Sequence, residues 1–464
     1  MFQSILLINP SMQAFYKGSK VKDAITRSPP LNIAVVAGAL ERAGYQVRAL
    51  DLNGEVVSDR QMERLIASTE PDMIGFTFRT PVFGEARRLA RLARRVAPHA
   101  LIVAGGVHPS VMSHEVVEDG AFDVAVINEG DETILDLAKG RPFDEIAGIA
   151  YLKDGVYTAN PARAPVQDLD SLAFPAWRLF DIRRYSQRSL VARHPPVVDL
   201  ESSRGCPAHC IYCTRSLFGE GFRAKSPSRV VDEVENALSY GFHSFNLVDD
   251  SFTTDLKRAV GVCEELKRRG LSVPWTLTNG IRVSHTDDAF FRTAAASGLE
   301  IVAFGLETGA QKLLNAVGKG ATLNQARRAV SSARKHGITT LGYFMVGLPG
   351  ENSSTLEATL EFARELDLDY AKFSITVPLP GTELFELWRN YIDESSYHQF
   401  NIHHPSPKAF KNPDISWDEI ERYLKRAYRS FYLRPQYIKK RLLRDIREGQ
   451  FLYNLRLAAS MSWN

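Results

Sequence analysis

Cysteine is nearly missing from this chain, with four in 464 residues. Three crowd into the eight positions from Cys206 to Cys213, and the fourth, Cys263, stands alone. A disulfide scaffold would spread its cysteines more evenly. In a reducing compartment, clustered thiols more often hold metal. Long apolar runs are also absent. The longest, near Leu31 to Leu40, is far short of the roughly 20 residues that span a bilayer. The opening MFQSILLINPSMQ has no basic leader, and its apolar run stops at Asn9-Pro10. That is the pattern of a first strand, not of a signal peptide, and the expected location is the cytoplasm. Charge of one sign is lacking too: a net charge of +3 does not by itself argue for a nucleic-acid partner. There is no solenoid repeat and no low-complexity stretch.

The length predicts two or three domains. Hydrophobic content of 44% and charged content of 24% are those of a soluble globular protein with a sizeable core. Residues 1–140 alternate strand-like and helix-like segments. SILLIN, QVRALDLN, MIGFTF, ALIVAGG and VAVIN read as strands, and LNIAVVAGALERAGY has helical spacing. This βα rhythm implies a parallel sheet covered on both faces, a Rossmann-like domain whose ligands sit at the strands' carboxyl ends.

Residues 141–195 read as a linker. From Val197 the rhythm resumes, with strands expected at VVDLESS, SFNLVDD, WTLTNG, IVAFGLE, TLGYFMVG and AKFSITVPL. Six βα-type repeats over 196–386 fit a partial (β/α)6 barrel of the TIM type. The active site of such a barrel lies at the strands' carboxyl ends. Residues 387–464 read as a C-terminal helical domain. Its last stretch, Glu421 to Asn464, carries eleven Lys and Arg against three Asp and Glu, so it holds +8 and the rest of the chain −5.

The first barrel strand runs into RGCPAHCIYCTR, a Cys206-x3-Cys210-x2-Cys213 spacing. A closed tetrahedral zinc site needs a fourth ligand, and only His209 within the loop or the remote Cys263 offers one. Three thiolates on a four-iron cluster instead leave one iron open to a small molecule. Tyr212 places an aromatic face beside the third cysteine. Cys263, in GVCEELKRRG, reads as a buried small hydrophobe on a helix.

This spacing, with the aromatic before the third cysteine, resembles the signature of radical S-adenosylmethionine (SAM) enzymes. LVDDSFT, FGLETG, MVGLPGE and VPLPGTELF look like further motifs of that family, and the match covers roughly Asp199 to Glu386. The resemblance implies a [4Fe–4S] cluster on Cys206, Cys210 and Cys213, and SAM bound beside it. Asp249, Asp250 and Glu307 can meet charge on SAM or orient its neighbours. Gly305, Gly347 and Gly350 permit close backbone approach. Arg223 and Arg282 suit its carboxylate, and Tyr212 lies beside the cluster.

The N-terminal half resembles the cobalamin-binding domain fused to one branch of that family. The matching pieces are Ser28 to Asn53, GFTFRT, AGGVHPS and INEGDET. The candidate corrin contacts are Thr77, Thr80, Gly105, Gly106, His108, Ser110, Glu129 and Gly130. One departure matters. The Asp-x-His-x-x-Gly loop of many cobalamin mutases is missing, since the first loop reads NPSMQAFYKGS. Cobalamin is therefore expected with no protein histidine on its lower face.

The resemblance implies reductive cleavage of SAM to a 5′-deoxyadenosyl radical. The expected outcome is cobalamin-dependent methylation of an unactivated carbon in a small-molecule or lipid-like substrate. Relatives in this branch also carry out cyclisation, ring rearrangement or carbon–carbon coupling without methylation. A non-catalytic corrinoid-binding protein is the third reading, and the intact cysteine triad argues against it. Methylthiotransferases of tRNA need a second, N-terminal cysteine set, and no cysteine precedes Cys206. The expected partners are the substrate and a one-electron reductant such as flavodoxin or ferredoxin, with no nucleic acid. The basic tail, with Leu442, Leu443, Ile446, Phe451 and Leu452, suits a peripheral membrane contact or an amphipathic substrate.

Overall fold

The computed structural model describes residues 2–12, 28–393, 399–401, 407 and 409–447. The first strand, β1 (Ser4–Asn9), is apolar from Ile5 to Ile8 because both its faces are covered there. Ile5 and Leu7 join one core cluster, while Leu6 and Ile8 join another. It pairs in parallel with β2 (Gln46–Asp51) and β3 (Met73–Thr77). Beyond β3 lie β4 (Leu101–Gly105) and β5 (Val124–Val126), also parallel. The order 2-1-3-4-5 reverses between β1 and β3, which is where a doubly wound sheet binds its ligand. Helices Leu31–Arg42, Asp59–Thr69 and Phe83–Val96 form the crossovers. The second starts at a capping box in which Ser58 and Gln61 satisfy each other's backbone.

The linker expected from residue 141 is corrected by two further strands. β6 (Ile149–Lys153) and β7 (Val156–Ala159) extend the same sheet, antiparallel. They form a hairpin around Asp154-Gly155, both at positive φ (51° and 77°), as a two-residue primed turn requires. The remainder of 141–195 wraps the junction of the two halves. There Trp177 is buried, and Tyr185 donates a 2.9 Å hydrogen bond to Asp51.

The second half begins at β8 (Val197–Leu200). A short ribbon of β9 (Ser203–Arg204) and β10 (Arg223–Ala224) brackets the cysteine loop. Then follow β11 (Ser244–Leu247), β12 (Trp275–Ile281), β13 (Leu299–Glu307), β14 (Thr339–Val346) and β15 (Tyr370–Ile375). All six main strands are parallel, in the order 8-11-12-13-14-15, as expected of a partial barrel. Inside it, Ala303, Leu341 and Tyr370 pack with Leu190 and Val191 of the junction segment.

Helix Trp417–Tyr432 covers the free edge of β15. Tyr428 donates to the Phe373 carbonyl (3.1 Å) and accepts from its N–H (3.2 Å). Tyr432 does the same at Ala371 (2.8 and 3.0 Å). Two phenols thus stand in for a neighbouring strand, so the edge offers no unpaired backbone there. The last described helix, Pro435–Arg447, follows it. No described helix is long and apolar enough to cross a membrane.

Candidate active site

The cysteine loop leaves β9 and is fixed from two sides. Ile211 N–H donates to Val317 O (3.2 Å), and Leu384 N–H donates to Ile211 O (2.8 Å). Gly318 must lack a side chain, because a Cβ there would lie 2.3 Å from the His209 carbonyl. Cys206, Cys210 and Cys213 are free thiols. Burial pushes the Cys213 thiol up to about 11, and Cys210, Asp250 and Cys206 add to the shift. A cationic iron cluster would remove that penalty on a Cys213 thiolate. His209 is not placed as a fourth ligand, since Arg215 donates to its Nδ1 at 3.0 Å. Cys263 is fully buried on helix Leu256–Arg268, and burial pushes its thiol up to about 12.

Behind this loop the barrel presents a compact set of charges. Lys319 donates to Glu307 at 2.6 Å, with both side chains 9% exposed. Glu307 sits at φ 60°, a strained conformation for a residue with a side chain. Gly305 makes room for this pair: a Cβ there would lie 2.6 Å from Lys319 Nζ. Arg282 donates to the Lys319 carbonyl and reaches within 3.9 Å of Cys210 Sγ, and its Nε has no acceptor among the described residues. Tyr212 is half-buried, with its hydroxyl enclosed beside Glu307 and Cys210. Burial first, then their charge, raises its pKa.

At the carboxyl ends of β1, β3, β4 and β5 lies a crevice of about 740 Å³. Thr77, Gly105, Gly106, Asn128 and Gly130 line its N-terminal side, while Asp199, Glu201, Asp250 and Asn279 of the barrel line the other. Gly106 sits at φ 102°, where a Cβ would meet the Phe78 carbonyl at 2.9 Å. This is a cradle for a flat, bulky group, so the residues present fit a corrin as well as a cluster. Asp199 is half-buried, and desolvation raises its pKa against hydrogen bonds from Ser28 and Asn246.

One junction joins the crevice to the cysteine loop. Arg204, two residues before Cys206, donates to Glu129 (2.8 Å), to Asp131 (2.8 and 3.1 Å) and to Glu201 (2.7 Å), with its guanidinium over the Phe218 ring. Arg223 donates to Glu129 (2.5 Å) and to the carbonyls of Val166 (2.5 Å) and Phe218 (2.9 Å). Arg204 is 3% exposed at its side chain.

The expected contacts therefore divide. Thr77, Gly105, Gly106, Glu129 and Gly130 line the crevice, as does Asp250. Tyr212, Arg282, Gly305 and Glu307 gather behind the cysteine loop. Thr80 and His108 are corrected as corrin contacts: they lie in the core, bonded to each other (3.1 Å). The His108 ring packs on Phe83, and burial lowers its pKa to about 3. Ser110 ties two loops together, donating to Gly106 O and accepting from Asn128 N–H. Asp249 is taken up by Ser202 and Ser203 at 2.5–2.7 Å, and Arg223 by the junction, so neither is placed to pair with SAM. Gly347 and Gly350 are positive-φ turn residues tied to Asn412 and Asp414. Most of the first loop, 13–19, lies outside the described residues. Sequence reasoning missed Arg204, Asp131, Glu201 and Lys319. The Arg204-Gly205 pair directly before the first cysteine was the available signal.

Comparison with known proteins agrees with this layout. A family model described as B12 binding domain matches residues 23–138, and one described as Radical SAM superfamily matches residues 200–363. An uncharacterized methyltransferase of Pyrococcus horikoshii is 31% identical over 454 residues, covering 96% of this chain and 95% of that protein. An anaerobic magnesium-protoporphyrin IX monomethyl ester cyclase of Rubrivivax gelatinosus is 30% identical over 439 residues, covering 91% and 77%. Among solved structures, the radical SAM methyltransferase TsrM of Kitasatospora setae, with cobalamin and a [4Fe–4S] cluster bound, superposes with a TM-score of 0.69. It is 23% identical, over 84% of this chain and 78% of that one.

Proposed function

Because this chain belongs to the radical SAM superfamily, in the branch that carries a B12-binding domain, we propose that it is a cobalamin-dependent methyltransferase acting on an unactivated carbon of a small molecule. The observation that carries this reading is the single crevice shared by a corrin cradle and the mouth of the radical SAM barrel. When bound, the cluster, SAM and cobalamin supply an electron, a 5′-deoxyadenosyl radical and a methyl carrier respectively.

The chain's own residues bind, orient and shield these groups. Cys206, Cys210 and Cys213 hold the cluster. Arg282 and the Lys319–Glu307 pair set the charge beside it and flank the SAM site at Gly305. Thr77, Gly105, Gly106 and Gly130 hold the corrin. Arg204, through Glu129 and Asp131, fixes the cradle relative to the cysteine loop. Leu190 and Val191 close the barrel from below and keep water from that side.

A second reading, radical chemistry without methyl transfer, draws on the likeness to the cyclase. Anaerobic reconstitution with a cobalamin source, reductant and methyl-labelled SAM separates the two. Methylation yields S-adenosylhomocysteine and 5′-deoxyadenosine in equal amounts, with label in the product. Substrate-dependent 5′-deoxyadenosine without either signal defeats it in favour of the cyclase-like reaction.

The reductant in this reading is a one-electron carrier such as flavodoxin or ferredoxin, and the compartment is the cytoplasm, where free thiols persist. Helix Pro435–Arg447 exposes Ile438, Leu442, Leu443 and Ile446 among basic residues, which supports peripheral contact with anionic lipid. Flotation with phosphatidylglycerol vesicles tests that contact. Phe451 and Leu452 lie outside the described residues.

A further inference from the structure

We propose that Lys372 is the anchor for an anionic group of the substrate, a carboxylate or phosphate, on the concave face of the barrel. The proposal rests on the methyltransferase reading only in taking that face as the substrate's place. Strand alternation sets the orientation. On β15, Tyr370 packs inward on Ala303 and Leu341, whereas Ala371 and Phe373 join the core under the helices. Lys372 therefore faces inward, in register with Tyr343 on β14, which is itself in register with Gly305 on β13. This layer lies directly above the apolar plug of Leu190, Val191, Leu341 and Tyr370.

Its ammonium has no hydrogen bond and no carboxylate among the described residues. Among the described residues it stands over the Tyr343 ring, 5.8 Å from Nζ to the centroid. That ring is pinned, because its hydroxyl donates to the Thr278 carbonyl at 2.5 Å and its edge crosses Gly280. The side chain is half-buried and its Nζ stays accessible, so a ligand entering the barrel can reach it. Arg258 and Arg282 donate to backbone carbonyls, and other cations of this half meet carboxylates. Lys319 meets Glu307, Lys225 meets Glu233, and Arg204 and Arg223 meet Glu129. Partial burial lowers the pKa of Lys372, and an anion beside it would raise that pKa again.

An anionic ligand completes this arrangement. Arg282 and Lys319, the barrel cations behind the cysteine loop, are separate groups, and Lys372 stands two strands further round the sheet from β13. That separation favours an anion on the substrate over the carboxylate of SAM.

The test uses the full-length, cluster-reconstituted protein with SAM. Amine-reactive labelling of Lys372, read by peptide mass spectrometry, is measured in chloride, acetate and inorganic phosphate, and with a small-molecule cell extract split on an anion exchanger. Acetate, phosphate or the retained pool is expected to protect Lys372 at least threefold over chloride. The retained pool is also expected to stimulate 5′-deoxyadenosine formation, a stimulation that K372M loses at least tenfold and K372R partly recovers. No protection by any of these anions overturns the proposal, as does stimulation that survives in K372M. A loss of SAM affinity in K372M that decarboxylated SAM does not share assigns the anion to SAM and overturns the substrate assignment. Wild-type protein that never cleaves SAM refutes the methyltransferase reading, while the protection result stands apart from it.

Discussion

Arg204→Met tests whether the junction between the two halves is a structural weld. In the wild-type protein Arg204 and Arg223 face Glu129, Asp131 and Glu201 at 2.5–3.1 Å. Methionine keeps much of the side-chain volume but leaves three buried carboxylates with Arg223 as their nearest remaining cation in that set. Breaking a buried ion pair on one side typically costs about 3–5 kcal/mol. For 464 residues melting as one unit, that is a fall in Tm of about 3–5 °C.

The loss should also depend on pH. Burial raises the Glu201 pKa in the folded protein, opposed by Arg204 and then Lys225. Its folded pKa lies above the unfolded value of about 4.3. The folded state therefore holds the proton more tightly in that window, and stability falls as pH rises through it. Without Arg204 the folded pKa rises further, so the deficit against wild type should be larger near pH 8 than near pH 5.5. Calorimetry at both pH values, with iron and corrin content, is the assay. Adding Asp131→Asn should recover part of the loss, because the two groups share one network. A Tm within about 2 °C of wild type, or a deficit that grows on acidification, would refute the reasoning.

Cys263→Ala should keep its full iron content, because that thiol is buried on a helix away from the cysteine loop; loss of about a quarter of the iron counts against this. Gly106→Ala should lose about 1–3 kcal/mol from backbone strain and retain less corrin after desalting, since its Cβ would press on the Phe78 carbonyl. Burial raises Glu351 to about 7, so its folded pKa exceeds the unfolded value and stability should fall by roughly 3 kcal/mol between pH 4.5 and 8. Glu351→Gln should flatten that slope in pH-resolved melting. Tyr428→Phe with Tyr432→Phe should lower stability by about 1–3 kcal/mol per phenol, the range for a buried N–H left without its acceptor. Denaturant melts measure it, and an unchanged midpoint would contradict the edge-capping role.

The main strands were legible because their faces dictate their sequences. Within SILLIN the four buried positions, Ile5 to Ile8, are all apolar, and the buried middle of a parallel strand has little place for anything else. The hairpin at 149–159 was readable from Asp154-Gly155 but was obscured by the proline-rich stretch that follows it. The cysteine triad was legible because its chemistry is local. The junction was not, because Arg204 and Asp131 lie 73 positions apart and each alone looks like a surface charge. Glu129 was picked out for its loop, and its partners come from the other half of the chain. Lys372 was invisible for the opposite reason: its character lies in the absence of a partner, which no spacing records.

The Arg204 junction has a thermodynamic consequence. The same guanidinium that grips the residues flanking Gly130 in the corrin cradle sits two residues from the first cluster cysteine. A corrin that orders the Glu129–Asp131 loop therefore also orders the start of the cysteine loop, and a cluster that orders the cysteines returns the favour. Linkage makes that exchange reciprocal: whatever factor the corrin contributes to cluster retention, the cluster contributes to corrin retention. Loading the two cofactors is then a cooperative event, and protein depleted of one should release the other more readily.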